Sequence, residues 1–342
     1  MSDTSSLRAE NKPRWSDVPV SVRQALERLV GASVCRAMRA RGGYTPTPTF
    51  RLRLSDGRRV FAKGAHPGLI EGARRAIIRE RRAYEELREL MGRWAPSYHG
   101  ALEVDGWTVL VLDDLGPKSA PPWSRRLAGD VLRDYAAFHD STRSREMPSW
   151  VRRPGEWVLD GGRSWNWAWN AEDLGRLVAL AAPHESMAVA WIEGARGGLA
   201  DAARTPIEPD APGSLLHLDT RSDNLRWVSR QLYLLDWPHA AVGPAEEDVA
   251  AFVQSITVDG GPEPEELLGM YEGQHGLDPI ALDRAIAGWA GFFAYQGSQP
   301  EIPELPRLRS FQRRQLRVTL QWAARRLRLS PPSWVEFIAG SR

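Results

Sequence analysis

Two Asp-Gly pairs, Asp56-Gly57 and Asp105-Gly106, constrain this chain most, because each stands between two segments of strand character. Asp-Gly tolerates the positive φ that a tight reversal demands, so apolar-alternating segments on either side close into an antiparallel hairpin. The first hairpin pairs Thr49 to Ser55 with Arg58 to Lys63, and the second pairs Tyr98 to Val104 with Trp107 to Leu112. Helical periodicity from about Ala73 to Leu90 fills the gap between them, and a further strand near Ser33 to Arg39 precedes both. The order is therefore three strands, a helix and two strands. Ahead of it, residues 1 to 15 read as a flexible leader, and Asp17, Pro19, Val22, Leu26, Leu29 and Gly31 mark a short capped amphipathic helix whose job is packing.

Past Leu115 the Pro- and Gly-bearing stretch Gly116 to Pro122 breaks the pattern, and helical periodicity dominates, as in Arg125 to His139 and Asp283 to Tyr295. This places an N-terminal lobe with its leader helix at 1–115 and a helical C-terminal lobe at 116–342. The fold class is α+β. A chain of 342 residues that is 42% hydrophobic buries a sizeable core, as one bilobed unit or two domains. Its net charge of +2 gives no global field for nucleic acid or an anionic membrane, so neither is expected as a partner. Cys35 is the sole cysteine, which excludes an intrachain disulfide and a multi-cysteine metal site and makes the cytoplasm the default compartment. The first residues are polar and no later segment reaches the roughly 18 apolar residues of a spanning helix, so secretion and membrane insertion are not expected.

The chemistry concentrates in His217-Leu218-Asp219-Thr220-Arg221-Ser222-Asp223-Asn224 and in Leu234-Leu235-Asp236-Trp237. Phosphoryl transfer needs a carboxylate beside the attacking hydroxyl, an amide oxygen on a metal ion and a second carboxylate bridging metal and phosphates. A loop spaced His-x-Asp-x-x-x-x-Asn can aim Asp219 and Asn224 at one point while the strand Gln231 to Leu235 returns Asp236 opposite them. On this reading Asp219 is the catalytic base, and Asn224 and Asp236 are magnesium ligands, since hard cations prefer oxygen donors. The bland alternative is a polar turn before an ordinary buried strand.

At these residues the chain resembles the aminoglycoside phosphotransferase and choline kinase-like family, whose members share the protein-kinase fold. An Asp-Trp pair stands where protein kinases carry Asp-Phe-Gly, which points to small-molecule acceptors. The resemblance implies a kinase-like two-lobe fold: a small lobe with a five-stranded antiparallel sheet and one main helix, then a large, mostly helical lobe with the catalytic loop and substrate site. It implies that Lys63, in Val60-Phe61-Ala62-Lys63, meets the α- and β-phosphates, that Glu80 steadies it, and that backbone near Asp113 to Leu115 meets the base. Gly42 and Gly43, in Arg41-Gly42-Gly43-Tyr44-Thr45, could bring backbone N–H groups over the phosphates, with a plain turn as the equal alternative. His217 would support the loop and Asp248 buttress it; Leu218 departs from the glycine the family often has there. The implied cofactor is Mg2+ with ATP or GTP as co-substrate, and the implied acceptor is a hydroxyl of an antibiotic, sugar or amino alcohol, the protein being a monomer or homodimer.

Two other functions stay open. A protein Ser/Thr kinase is opposed by the Asp-Trp pair and the lack of an Ala-Pro-Glu segment, and a nonenzymatic nucleotide-binding scaffold by the intact set Lys63, Asp219, Asn224 and Asp236. Arg221 and Asp223 could form a local pair or contact substrate, or be solvated. Trp150, Trp157, Trp165, Trp167 and Trp169 could stack on a ligand, though tryptophans of helical lobes more often fill core. Glu172, Asp173, Glu193 and Asp201 read foremost as a solvated helix face. Arg307 to Arg328 reads as a basic amphipathic helix packed on the large lobe with its arginines in water.

Overall fold

The computed structural model describes residues 12–40, 43–153, 163–208 and 211–338, and the chain divides into two compact units. The first holds the residues up to Ser119 together with Asp223–His239 and Ile302–Pro306. Its sheet runs in the order β1-β2-β3-β5-β4, all antiparallel, from β1 (Val34–Arg39), β2 (Thr49–Leu54), β3 (Arg59–Ala65), β4 (Tyr98–Val104) and β5 (Trp107–Asp113). Both Asp-Gly pairs sit in turns, but the turns differ. Val104 pairs with Trp107, so Asp105 (φ 51°) and Gly106 (φ 75°) form a two-residue reversal with both centres left-handed. Around Gly57 (φ 89°) the register closes one residue later, with the Leu54 N–H donating to the Arg58 carbonyl at 2.9 Å, a three-residue loop.

Alternation along the strands sends side chains to opposite faces of the sheet. Phe50, Leu52, Leu54, Val60, Ala62, Val109 and Val111 share a core with Val22, Leu26 and Val30 of α1 (Val20–Val30). Leu110 and Ala65 share the other core with Ile77 of α2 (Glu71–Glu86). Lys63 is out of phase with Ala62 and so stands on the α2 side, where Glu80 is. The single helix expected to Leu90 is two, α2 and α3 (Arg88–Met91), because Leu87 turns out of helical geometry (φ −106°, ψ 4°) and is fully buried. The leader is pinned where it is described: Trp15 meets Phe50 edge-on at 5.1 Å, and Lys12 is buried. A short hairpin, Leu225–Val228 with Gln231–Leu234, belongs to this unit too. The Leu235 N–H donates to the Asn224 carbonyl at 2.7 Å, so Asn224 and Asp236 flank the open end of one ladder.

The second unit is helical: α4 (Arg125–Thr142), α5 (Ala171–Ala179), α6 (Glu185–Ala203), α7 (Ala245–Val258), α8 (Pro264–Leu268), α9 (Pro279–Ser298) and α10 (Leu308–Arg326), with a two-stranded pair, Ser214–Leu216 and Ala241–Gly243. Trp165, Trp167 and Trp169 fill its core. A Cβ at Gly288 would overlap the Trp165 ring, and the Trp167 indole N–H donates to the Ala287 carbonyl at 2.9 Å. Trp157 lies outside the described residues. Asp173 departs from the solvated face expected of it: it is buried, completes the Asn170 capping box of α5, and pairs with Arg163 and Arg176. The arginines of α10 are likewise less free than a solvated stripe, since Arg309 donates to the Gln296 and Pro300 carbonyls and Arg317 and Arg326 pair with Glu336 and Asp283. No helix of the described residues is long and apolar enough to cross a membrane.

Candidate active site

A cleft of about 480 Å³ opens in the first unit, within the range of small-molecule sites. Most of its lining comes from three stretches, strands β1 to β3 with their connecting loop, the segment Leu112 to Lys118, and the hairpin end carrying Asn224 and Asp236, with Glu80 and Pro96 added singly. Lys63 is one of the lining residues. Its ammonium is 2.7 Å from Glu80 Oε2 and 2.6 Å from Asp236 Oδ1. Burial disfavours the charged amine, but Asp236 and Glu80 outweigh that and hold Lys63 above its ordinary range, protonated at any physiological pH. Burial also pushes the Glu80 carboxyl up to about 7, with the Asp236 charge adding to the shift and Lys63 opposing it. Removing Lys63 would leave the two carboxylates facing each other with no cation between them.

Gly43, Asp113, Leu115 and Asn224 line the same cleft. Gly43 has φ 73°, a left-handed conformation suited to glycine, and Gly42 lies outside the described residues. The Asp113 N–H is spent on the Ser97 carbonyl at 3.0 Å, and its carboxylate meets His99 at 2.7 Å. Apolar walls come from Met38, Phe61 and Leu112. Two arginines that sequence reasoning passed over, Arg51 and Arg226, both donate to the Gly116 carbonyl and brace the segment after β5. Their strands are far apart in sequence, so no local pattern announces them. Lys12, from the leader, lines the cleft as well.

Asp219 lies in the second unit, in a loop pinned at almost every residue. Asp248 Oδ2 accepts the His217 N–H and Oδ1 the Leu218 N–H, each at 2.6 Å, while His139 reaches Oδ2 at 3.2 Å. Although burial opposes it, these hydrogen bonds hold the Asp248 carboxyl below the usual carboxylate range. Tyr135 bonds Thr220 at 2.7 Å, and Ser222 is held by Trp123 at 3.1 Å and by Asp259. Leu218 takes φ 57°, the region that favours glycine, so the departure from the family's common glycine is carried as local backbone strain. Arg221 finds a carboxylate two residues upstream: its Nε and Nη2 reach the two oxygens of Asp219 at 3.0 and 3.3 Å, and its guanidinium lies 5.3 Å from the centre of the Phe311 ring.

A family model described as the phosphotransferase enzyme family matches residues 37–289. No curated protein matches at the level of sequence. Among solved structures, a spectinomycin phosphotransferase in complex with ADP and spectinomycin is similar with a TM-score of 0.58 at 15% identity, over 94% of this chain and 99% of that one. The amicoumacin kinase hAmiN, in complex with AMP-PNP, Ca2+ and Ami, is similar at 0.54 and 12%, over 86% and 92%. Choline kinase LicA from Streptococcus pneumoniae is similar at 0.51 and 14%, over 86% and 97%. At such identities the likeness is one of fold, the protein-kinase-like fold of these enzymes, and the family rests on the sequence match from Ala37 to Trp289. By that match the chain belongs to the phosphotransferase enzyme family.

Proposed function

We propose that this protein moves the γ-phosphoryl group of ATP or GTP to a hydroxyl of a small molecule, with Mg2+ as cofactor. The observation that carries the reading is the Lys63 ammonium between Glu80 and Asp236 in a cleft that Asn224 also lines. Lys63 meets phosphate oxygens, and Glu80 keeps the amine oriented when those oxygens compete with Asp236 for it. Asn224 and Asp236 fit a hard cation by donor type. Among the described residues no group of three or more His, Cys, Asp or Glu could hold a metal alone, which suits an ion whose remaining ligands are nucleotide phosphates and water. When bound, Mg2+ neutralises the charge on the transferring phosphoryl group.

Asp219 is the base in this proposal. It accepts the acceptor hydroxyl's proton as the new O–P bond forms and the bond from the γ-phosphorus to the β,γ-bridging oxygen breaks. Arg221, forked onto both carboxylate oxygens, fixes the direction in which Asp219 accepts. The acceptor class is tested by screening aminoglycosides, other hydroxylated antibiotics, sugars and amino alcohols for magnesium-dependent ADP or GDP release above the acceptor-free rate. Asp219→Asn should lower the stimulated rate about 10² to 10⁴-fold with nucleotide affinity nearly intact. Release that no acceptor stimulates, or that is indifferent to Asp219→Asn, defeats the proposal.

A further inference from the structure

We infer that Lys12, a residue of the leader outside the family-matched region, is a second phosphate-binding cation of the nucleotide cleft. The inference rests on the proposed nucleotide site and extends it to a segment that the match from Ala37 onward does not cover. Lys12 is only 9% exposed, yet it lines the cleft together with Gly43, Thr45, Thr47, Thr49 and Lys63. Its ammonium donates to Thr49 Oγ1 at 3.1 Å. Thr49 spends its own hydroxyl proton on the Ala40 carbonyl, at 3.1 Å, and so presents its oxygen to Lys12 as an acceptor. At the other end, Arg39 donates to the Lys12 carbonyl at 2.6 Å, so both the backbone and the side chain of Lys12 are tied to the sheet.

The position is what gives this amine a role. Thr49 is the direct cross-strand partner of Lys63, which puts the Lys12 ammonium beside the cross-strand neighbour of the lysine already assigned to the phosphates. On its other side is the glycine-bearing loop between β1 and β2: a Cβ built on Gly43 would lie 3.9 Å from Lys12 Nζ. Charge argues the same way. Lys63 shares its charge with two carboxylates, Glu80 and Asp236, so a second ammonium beside it adds positive charge where the phosphates would lie.

The test is calorimetric titration of the full chain with ATP, ADP and adenosine, each with and without Mg2+. Lys12→Met should raise the Kd for ATP about 10- to 100-fold, the range of a charge-assisted hydrogen bond, while adenosine binds as it does to the wild type. Lys12→Gln keeps a donor toward Thr49 but no charge, and should show the same selective loss; Lys12→Arg should recover most of it. ATP affinity unchanged in the Gln variant, or a loss shared equally by adenosine, overturns the assignment and leaves Lys12 as a structural tie. Wild-type protein that binds no nucleotide at all defeats the phosphotransferase proposal itself, and this inference with it.

Discussion

Arg221 and Asp236 show how differently two site residues announce themselves. Asp236 is legible beside Trp237 because the Asp-Trp pair is a contiguous motif, and its contact with Lys63 at 2.6 Å joins residues that the motif set already named. Asp236→Ala should therefore abolish the magnesium-dependent part of nucleotide binding; a magnesium effect of wild-type size in calorimetry would remove Asp236 from the metal site. Arg221 is opaque in the sequence, because a loop spacing of two residues does not say which of Asp219 and Asp223 a guanidinium will reach. Its planar fork fits both Asp219 oxygens, which a lysine cannot do. We expect Arg221→Met and Arg221→Lys alike to cut turnover roughly 10-fold or more while nucleotide affinity stays put. Full activity in the Lys variant would show that Arg221 supplies charge rather than direction.

At the scale of elements, what was local was readable. Both hairpins follow from Asp-Gly chemistry, whereas the choice between a two-residue and a three-residue turn depends on cross-strand register, which the dipeptide does not encode. The ion pairs of α10 depend on neighbours distant in sequence, and periodicity is blind to them. The two turns respond differently to one substitution. Gly57→Ala meets open space and should cost about 1 kcal/mol from backbone conformation alone. Gly106→Ala adds a contact of 2.9 Å with Pro67 and should cost more, measured as the larger drop in Tm.

The clamp from α7 to the loop that carries Asp219 makes a pH prediction. Asp248 is fully buried with a lowered pKa, so its stabilisation is complete above the unfolded value of roughly 3.9 and is lost as pH falls through the lower folded value. Asp248→Asn should cost about 3 kcal/mol at pH 7, and the gap to wild type should narrow on acidification below pH 4. Urea unfolding at both pH values checks this, and a gap that stays constant would show that the carboxylate charge contributes nothing.

At the scale of the whole molecule, the unit that holds the cleft is not a continuous stretch of chain. Asp223–His239 packs with the N-terminal sheet, and that membership is a fact of long-range contacts which no composition shift marks. Asp219 and Asn224, five residues apart in one motif, accordingly fall in different units. The consequence is testable by hydrogen exchange. Because a ligand stabilises what it binds by RT ln(1 + [L]/Kd), about 2.7 kcal/mol at a hundredfold excess over Kd, Mg-ATP should slow exchange where the cleft is built. The expected pattern is protection in three stretches far apart in sequence, β1 through β3, Leu112 to Lys118, and Asn224 to Asp236. Most of α6 and α10, which do not line the cleft, should exchange at the same rate with and without nucleotide. Protection confined to the helical unit, or to just one of the three stretches, would mean that the nucleotide sits elsewhere, since a ligand filling the cleft touches the strands and turns of all three.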